Sequence, residues 1–388
     1  MMKVLVVLPR FPYPLEKGDK LRAYHQLRVL SRYHELYVVT LCEHLPSEES
    51  LAKIRPFCQE LHVVKLTWTS RLWHSAGALF KGLPFQCGYF YNRKAQRIIN
   101  ELVARVNPDR IFCQLIRVAE YVKHFNILKI IDYQDVLSKG MQRRALSAPF
   151  WKRWFFKAEF RRLCRYEAEV FSLFDEKVII TEVDRDLIPH EQSRQIHVVA
   201  NGVDFDYYQH RDCEKNYDLI FAGNMSYAPN VEAANYLVRE VMPLLWQEFP
   251  DLTVALCGAS PVPAVRALQS RRVIVTGWVD SMADYYAQSR VFIAPMHLGT
   301  GLQNKLLEAM SMKLPCVTST LAGKPLKGVE NGKEILICNT TTGFADAVKA
   351  LLENDEMYNT IAENGYQFVK SNYNWERVNE QLAQIIAR

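Results

Sequence analysis

The chain has 388 residues, 49% of them hydrophobic and 23% charged, a length for two ordinary domains and a composition too apolar for a disordered chain. A net charge of +6 and a pI near 8.7 permit an acidic ligand or an anionic surface without demanding either. The nine cysteines are scattered, odd in number and form no C-x-x-C pair, so they read as reduced thiols rather than a disulfide framework.

In chain order, "KVLVVLP" (3–9) is a short all-apolar strand suited to the buried centre of a parallel sheet. Its apolar run is too short for a signal peptide and meets Arg10, Pro12 and Pro14 at once. After a loop with Gly18, "DKLRAYHQLRVLSRY" repeats Leu21, Tyr24, Leu27 and Leu30 on one helical face. "HELYVVTLC", "ELHVVKL" (60–66), "DRIFCQL" (109–115), "LKIIDYQ" (128–134) and "EKVIITE" (176–182) continue as strands separated by helical segments, and 147–174 reads as one long helix. "IHVVANGVDFDYY" (196–208) ends this series, and a polar connector follows. A second set then begins: strand "YDLIFAGNM", helix "NVEAANYLVREVMPLLWQEF", strands "LTVALCGA" and "RVIVTGWV", a short helix, strand "RVFIAPM", strands "LPCVTS" and "GKEILIC", and terminal helices. The expectation is an α/β chain of two Rossmann-like domains around a cleft, with ligands beyond the carboxyl ends of the strands. No stretch approaches the roughly 20 apolar residues of a membrane span, so the expected location is cytoplasmic.

The segment "HLGTGLQNKLLEAMSM" follows a strand and feeds a helix. A helix start offers unpaired N–H groups and a positive dipole end, a seat for phosphate. Gly299 and Gly301 let a backbone approach a ligand. Lys305 near that end is unfavourable unless an anion sits there. Glu308, three residues on, faces the same way and can accept hydrogen bonds from a ribose diol. The plain alternative is a solvent-exposed Lys–Glu pair on an ordinary helix.

"GTGLQNKLLEAMSMKLPCVTS" resembles the signature of the retaining group 1 nucleotide-sugar glycosyltransferases (family 4-like) of GT-B fold: Glu-Gly-Phe-Gly, a helix with Glu-Ala-Met-Ala, then Gly-x-Pro-Val-Val. "NGVD" (201–204), "FAGNMSYAPN" (221–230), "GWVDSMADYYAQSRVFIAP" (277–295) and "YNWERV" (373–378) stand where that family has its landmarks, and "YPLEKGDKLRAYHQL" resembles an exopolysaccharide-associated subgroup. The resemblance implies an acceptor-side domain over 1–204, a nucleotide-sugar domain over 205–372, and a C-terminal helix over 373–388 returning to the first. It implies a metal-independent hexosyltransferase-like enzyme without cofactor, which takes a nucleotide diphosphate sugar and a glycan or lipid-linked acceptor in bacterial surface polysaccharide synthesis. By the same resemblance Glu308 binds the donor ribose. Gly299, Thr300, Gly301, Leu302 and Gln303 contact donor sugar and diphosphate. Gly18 lies beneath the phosphates, Gly223 and Asn224 beside the donor, and Gly277 and Trp278 beside the base. Two positions depart from the pattern. The first glutamate of the family's pair falls on Thr300, and Asn224 and Asn230 stand near where an arginine and a lysine usually neutralise the diphosphate. Lys305 is then the best local cation, and with Glu308 it is the catalytic assignment. A GT-B protein that binds a nucleotide sugar or glycan without turnover is the alternative.

In the first half, Asp132, Asp135 and Lys139 follow a strand and either meet the acceptor or the donor sugar or are parts of a capped loop before a helix. Arg117 follows another strand, and Arg22 could hold a phosphate. "FWKRWFFKAEFRRLCR" (150–165) interleaves aromatics with cations and suits either an anionic membrane surface or a packed helix with a solvated face. No His/Cys spacing suggests a metal, and no nucleic-acid module is evident.

Overall fold

The computed structural model describes residues 1–299 and 301–388, and of Ser147 the backbone alone. Met1–Ala200 with Trp375–Arg388 form one compact unit, and Asn201–Asn374 form the other. In the first unit β1 (Met2–Leu8), β2 (His34–Cys42), β3 (Glu60–Lys65), β4 (Arg110–Gln114), β5 (Leu128–Asp132), β6 (Glu176–Ile179) and β7 (His197–Val198) make a parallel sheet of order 3-2-1-4-5-6-7. In the second, β8 (Tyr217–Ala222), β9 (Val254–Cys257), β10 (Val273–Gly277), β11 (Ser289–Ala294), β12 (Cys316–Thr318) and β13 (Leu336–Ile337) are ordered 10-9-8-11-12-13, again parallel.

A central parallel strand is covered on both faces, and β1 shows how its sequence meets that demand. Leu5 and Val7 enter one core with Val39, Ile111 and Ile131. Val4, Val6 and Leu8 enter the other with Val38, Phe112 and Ile130. Each such side chain, fully buried, contributes about 1.5–3 kcal/mol before the entropy of ordering is counted.

The helix Trp375–Ala387 belongs to the first unit. Val378, Leu382, Ala383, Ile385 and Ile386 pack into the second of these cores, and Glu376 takes Arg28 at 3.0 Å and Arg32 at 2.6 Å. Trp375 stacks on His25 of the helix Gly18–Leu30, 4.6 Å between ring centroids and 9° between planes.

Two elements differ from the expectation. The expected single helix "NVEAANYLVREVMPLLWQEF" is three pieces: Ala228–Tyr236, a π-helical turn Leu237–Val241, and Met242–Glu248. Pro243 is the cause: it has no N–H to donate and its ring crowds the preceding turn, so the backbone bulges there. The expected long helix 147–174 is present as one piece but starts later, at Phe150–Leu173, because Ser147 ends the preceding helix Leu137–Ser147 and Pro149 separates the two.

Burial, reinforced by the Arg28 charge, lowers the His25 pKa to about 3, and neither ring nitrogen has a hydrogen-bond partner. Its folded value lies below the unfolded 6.5, so the unfolded chain binds the proton first and stability is lost as pH falls from about 6.5 toward 3. The expected loss from this group is about 2–3 kcal/mol by pH 4.5, at about 1.4 kcal/mol per pH unit. His25→Phe should flatten that acid limb in urea titrations followed by tryptophan fluorescence; an unchanged limb would remove His25 as its origin.

Candidate active site

Strands of the second sheet are added outward from β8 in one direction and from β11 in the other. Between β8 and β11 the connections part, and the crevice left beyond their carboxyl ends is where an open α/β sheet holds its ligand. On one side lies the loop from Gly223 to the helix Ala228–Tyr236; on the other lies the loop from Pro295 to the helix Asn304–Ser311. Gly223 has φ +152°, and a Cβ on it would lie 2.6 Å from the Asn230 amide, so this turn has room for glycine alone.

Lys305 reaches back across the crevice. Its Nζ donates to Asn230 Oδ1 at 2.6 Å, lies 3.8 Å from the Met296 sulfur and sits 4.6 Å from the centroid of the Phe221 ring. Burial lowers its pKa to about 7, and the Glu308 charge opposes that shift. Glu308 accepts from Tyr286 Oη at 3.0 Å and from Tyr208 Oη, and burial raises its pKa. A carboxylate offers about four acceptor positions, so two phenols leave it capacity for a diol. The solvated Lys–Glu pair is thus not what forms: both side chains are half-buried and carry specific partners.

Residues 216–354 match the family model described as glycosyl transferases group 1. The second unit is a group 1 glycosyltransferase domain. Across its whole length the chain is similar to an uncharacterized 44.6 kDa protein in the cps region of Klebsiella pneumoniae, 22% identical over 97% of this chain and 98% of that one. Among solved structures it is similar to sucrose-phosphate synthase of Thermosynechococcus elongatus (TM-score 0.69, 14% identity, 99% and 98% of the two chains). It is likewise similar to HepE of Anabaena in complex with UDP and glucose (TM-score 0.68, 14% identity, all of both chains). These likenesses establish the fold, GT-B.

Within the glycosyltransferase domain the expected donor residues gather at strand ends. Asn224 is exposed, and its Oδ1 accepts from Ser226 N at 2.9 Å and Ser226 Oγ at 2.7 Å. Gly277 ends β10 at φ +71°, and the next residue, Trp278, is 67% exposed. Gly299 and Gly301 have φ of +130° and +71°, Leu302 is half-buried, and Gln303 Nε2 donates to the Gly301 carbonyl at 3.3 Å. Thr300 lies outside the described residues. Sequence reasoning missed Tyr208 and Tyr286, which lie 100 and 22 residues before Glu308; nothing local marks either as its donor.

In the first unit the expected acceptor-side residues separate into two pairs. Arg22 and Asp132 are fully buried and bonded at 2.7 Å; Arg22 also donates to the Val199 and Ala200 carbonyls, and Gln26 donates to Asp132 at 2.7 Å. These two tie the first helix to β5 and to the chain after β7, and neither faces solvent. Arg117 and Asp135 instead line one open cavity with Arg10 and Phe90. Gly18 opens the helix Gly18–Leu30, and a Cβ there would meet nothing within 4 Å. Among the described residues no group of His, Cys, Asp and Glu could hold a metal ion, and no helix is long and apolar enough to cross a membrane.

Removing one partner of a buried pair strands the other charge. Asp132→Ala should therefore destabilise the first unit by about 3–5 kcal/mol, read as a lower urea midpoint at unchanged slope. A loss under 1 kcal/mol would show that the pair has solvent access.

Proposed function

We propose that the chain transfers a sugar, with retention of anomeric configuration and without a metal, from a nucleotide diphosphate sugar to a glycan or lipid-linked sugar acceptor in bacterial surface polysaccharide synthesis. The observation that carries this reading is the second-sheet crevice: a half-buried lysine at a helix start beside a half-buried carboxylate, both held by named partners inside a group 1 glycosyltransferase domain. The protein in the Klebsiella cps region and the HepE complex with UDP and glucose support the polysaccharide setting and the donor class.

In this reading Glu308 accepts from the ribose diol. Asn230 positions Lys305 against the diphosphate, with the start of the Asn304–Ser311 helix adding its backbone N–H groups. Negative charge grows on the leaving diphosphate as the glycosidic bond breaks, so a preorganised cation there stabilises the transition state more than the bound substrate. Asn224 and Asn230, in place of an arginine and a lysine, favour a second reading: nucleotide-sugar binding without turnover. Release of free nucleotide from a donor sugar in the presence of acceptor separates the two.

Two measurements test the donor site. Glu308→Ala should weaken nucleotide diphosphate binding by about 1–3 kcal/mol with the fold intact; unchanged affinity would end its ribose role. Lys305 starts near pKa 7 and gains a diphosphate partner that raises this value, so binding should be full below pH 7 and weaken as pH rises through 7 to 9. Titration calorimetry in buffers of different ionisation enthalpy should show proton uptake near pH 7.5, absent in Lys305→Met. A pH-independent affinity would contradict the assignment.

Membrane association belongs to the same proposal. On the helix Phe150–Leu173, Phe150, Trp151 and Trp154 are 83%, 57% and 70% exposed, beside exposed Lys152, Lys157 and Arg161. On Trp68–Phe80, Trp73 and Phe80 are 75% and 94% exposed. Tryptophan among cations suits an anionic lipid surface, at about 1 kcal/mol per cation and falling with salt. Vesicles with anionic lipid should bind the protein at low salt and release it at high salt. Lys152, Lys157 and Arg161 changed to glutamine should weaken that binding severalfold, and failure of the native protein to bind would remove this part.

A further inference from the structure

Two phenols from separate parts of the second unit hold Glu308. Tyr286, on the short helix Met282–Ala287 that leads into β11, is fully buried, and its Oη donates to Glu308 Oε2 at 3.0 Å. Tyr208, on the stretch before β8, directs its Oη at the same carboxylate. That stretch is itself fixed. The Tyr208 amide donates to the Asp204 carbonyl at 2.8 Å, and Asp204 Oδ1 accepts from the amides of Asp206 and Tyr207 at 3.1 and 3.3 Å. His210 Nδ1 donates to the carbonyl of Met312, the residue that caps the Glu308 helix, at 3.0 Å. The rings pack as well: Tyr208 lies 6.0 Å from Tyr286, Tyr207 meets Tyr208 edge-on at 4.7 Å, and Phe292 of β11 lies 6.0 Å from Tyr286. Neither phenol can leave the carboxylate without breaking these contacts.

Three groups face Glu308 with a preference for its ionised form: Tyr286, Tyr208 and the Lys305 charge on its own helix. Burial opposes them and is the largest influence, so its pKa stays above the usual carboxylate value. Burial also pushes both phenols well up, so they keep their protons and act toward the carboxylate as donors. Phenylalanine at either position would fill nearly the same volume with no buried hydroxyl to satisfy. What the hydroxyls add is direction: they hold a partly desolvated carboxylate in one orientation and in its ionised form, with acceptor positions to spare. A fixed acceptor discriminates. When a ligand lacks the hydroxyl it expects, the acceptor is left desolvated and unpaired. A carboxylate free to turn or to take up a proton satisfies itself otherwise and discriminates less.

We propose that Tyr208 and Tyr286 are positioning residues that clamp Glu308 as an acceptor for the ribose diol and so make the donor site selective for ribonucleotides over 2′-deoxyribonucleotides. The proposal rests on the donor reading above and adds the residues that set its ribose selectivity. Calorimetric titration of the full chain with UDP, ADP and GDP finds the best-bound nucleotide, whose 2′-deoxy form is then titrated. The wild-type chain should prefer the ribonucleotide about a hundredfold. Tyr286→Phe should weaken the ribonucleotide about tenfold and change the 2′-deoxy form by less than about twofold. Tyr208→Phe should do the same, and it serves if Tyr286→Phe does not fold. On the acid side, below the range in which Lys305 titrates, Glu308 takes up a proton and ribonucleotide affinity falls as pH drops. Without a phenol Glu308 holds its proton to higher pH, so this fall should begin at higher pH in either variant, which lost packing alone would not produce. Tyr358→Phe removes a phenol that donates to the Arg290 carbonyl at 2.8 Å and should move neither the ratio nor the acid limb. A ribose preference unchanged in both phenylalanine variants, or an acid limb that stays in place, overturns the clamp while the donor reading stands. Equal weakening of the two nucleotide forms assigns the tyrosines to packing and overturns it too. Failure of all three nucleoside diphosphates to bind the wild-type chain fells the donor reading and this inference with it.

Discussion

A parallel sheet built outward from a central strand must at some point send its next crossover the other way, and only there do two neighbouring loops part at the carboxyl edge. Each unit of this chain does so once, between β1 and β4 and between β8 and β11. Everything of chemical interest follows from those two gaps. Lys305, Asn230 and Gly223 surround one, and Arg10, Arg117 and Phe90 surround the other.

The two gaps solve different electrostatic problems. In the second unit one lysine is held by a neutral amide and an aromatic face, with a carboxylate one helical turn away kept by two phenols. Burial pushes the lysine toward its neutral form, so near pH 7 only part of it is charged, and an arriving anion restores the charge. In the first unit two guanidiniums share one ring, and arginine stays charged throughout the physiological range. The first arrangement suits a charge that grows during a reaction.

Not every charged residue at a strand end serves a ligand. Arg22 and Asp132 sit at the heart of the first unit and hold three separate stretches of chain, the first helix, β5 and the segment after β7. His25 against Trp375 does comparable work with no charge at all, joining the last helix to the first. The sequence alone offers Arg22, Arg117, Asp132 and Asp135 together as acceptor-side candidates; burial separates them, because a side chain without solvent access cannot meet an incoming sugar.

The sequence by itself determined the alternation of strands and helices, the all-apolar centres of β1 and β11, and the glycine-punctuated loop before Lys305 and Glu308. Those features are local: side-chain period, backbone permissiveness and helix-start chemistry act over a few residues. The breaks at Pro149 and Pro243 were equally legible in principle, since proline acts on its own turn. Only the tertiary structure decided which partners each functional side chain has. Tyr208 reaches Glu308 across 100 residues, Asn230 reaches Lys305 across 75, and Phe90 brings together Arg10 and Arg117 from two different strand ends. Such meetings are set by the order in which strands enter the sheet, and that order leaves no mark at the positions it brings into contact.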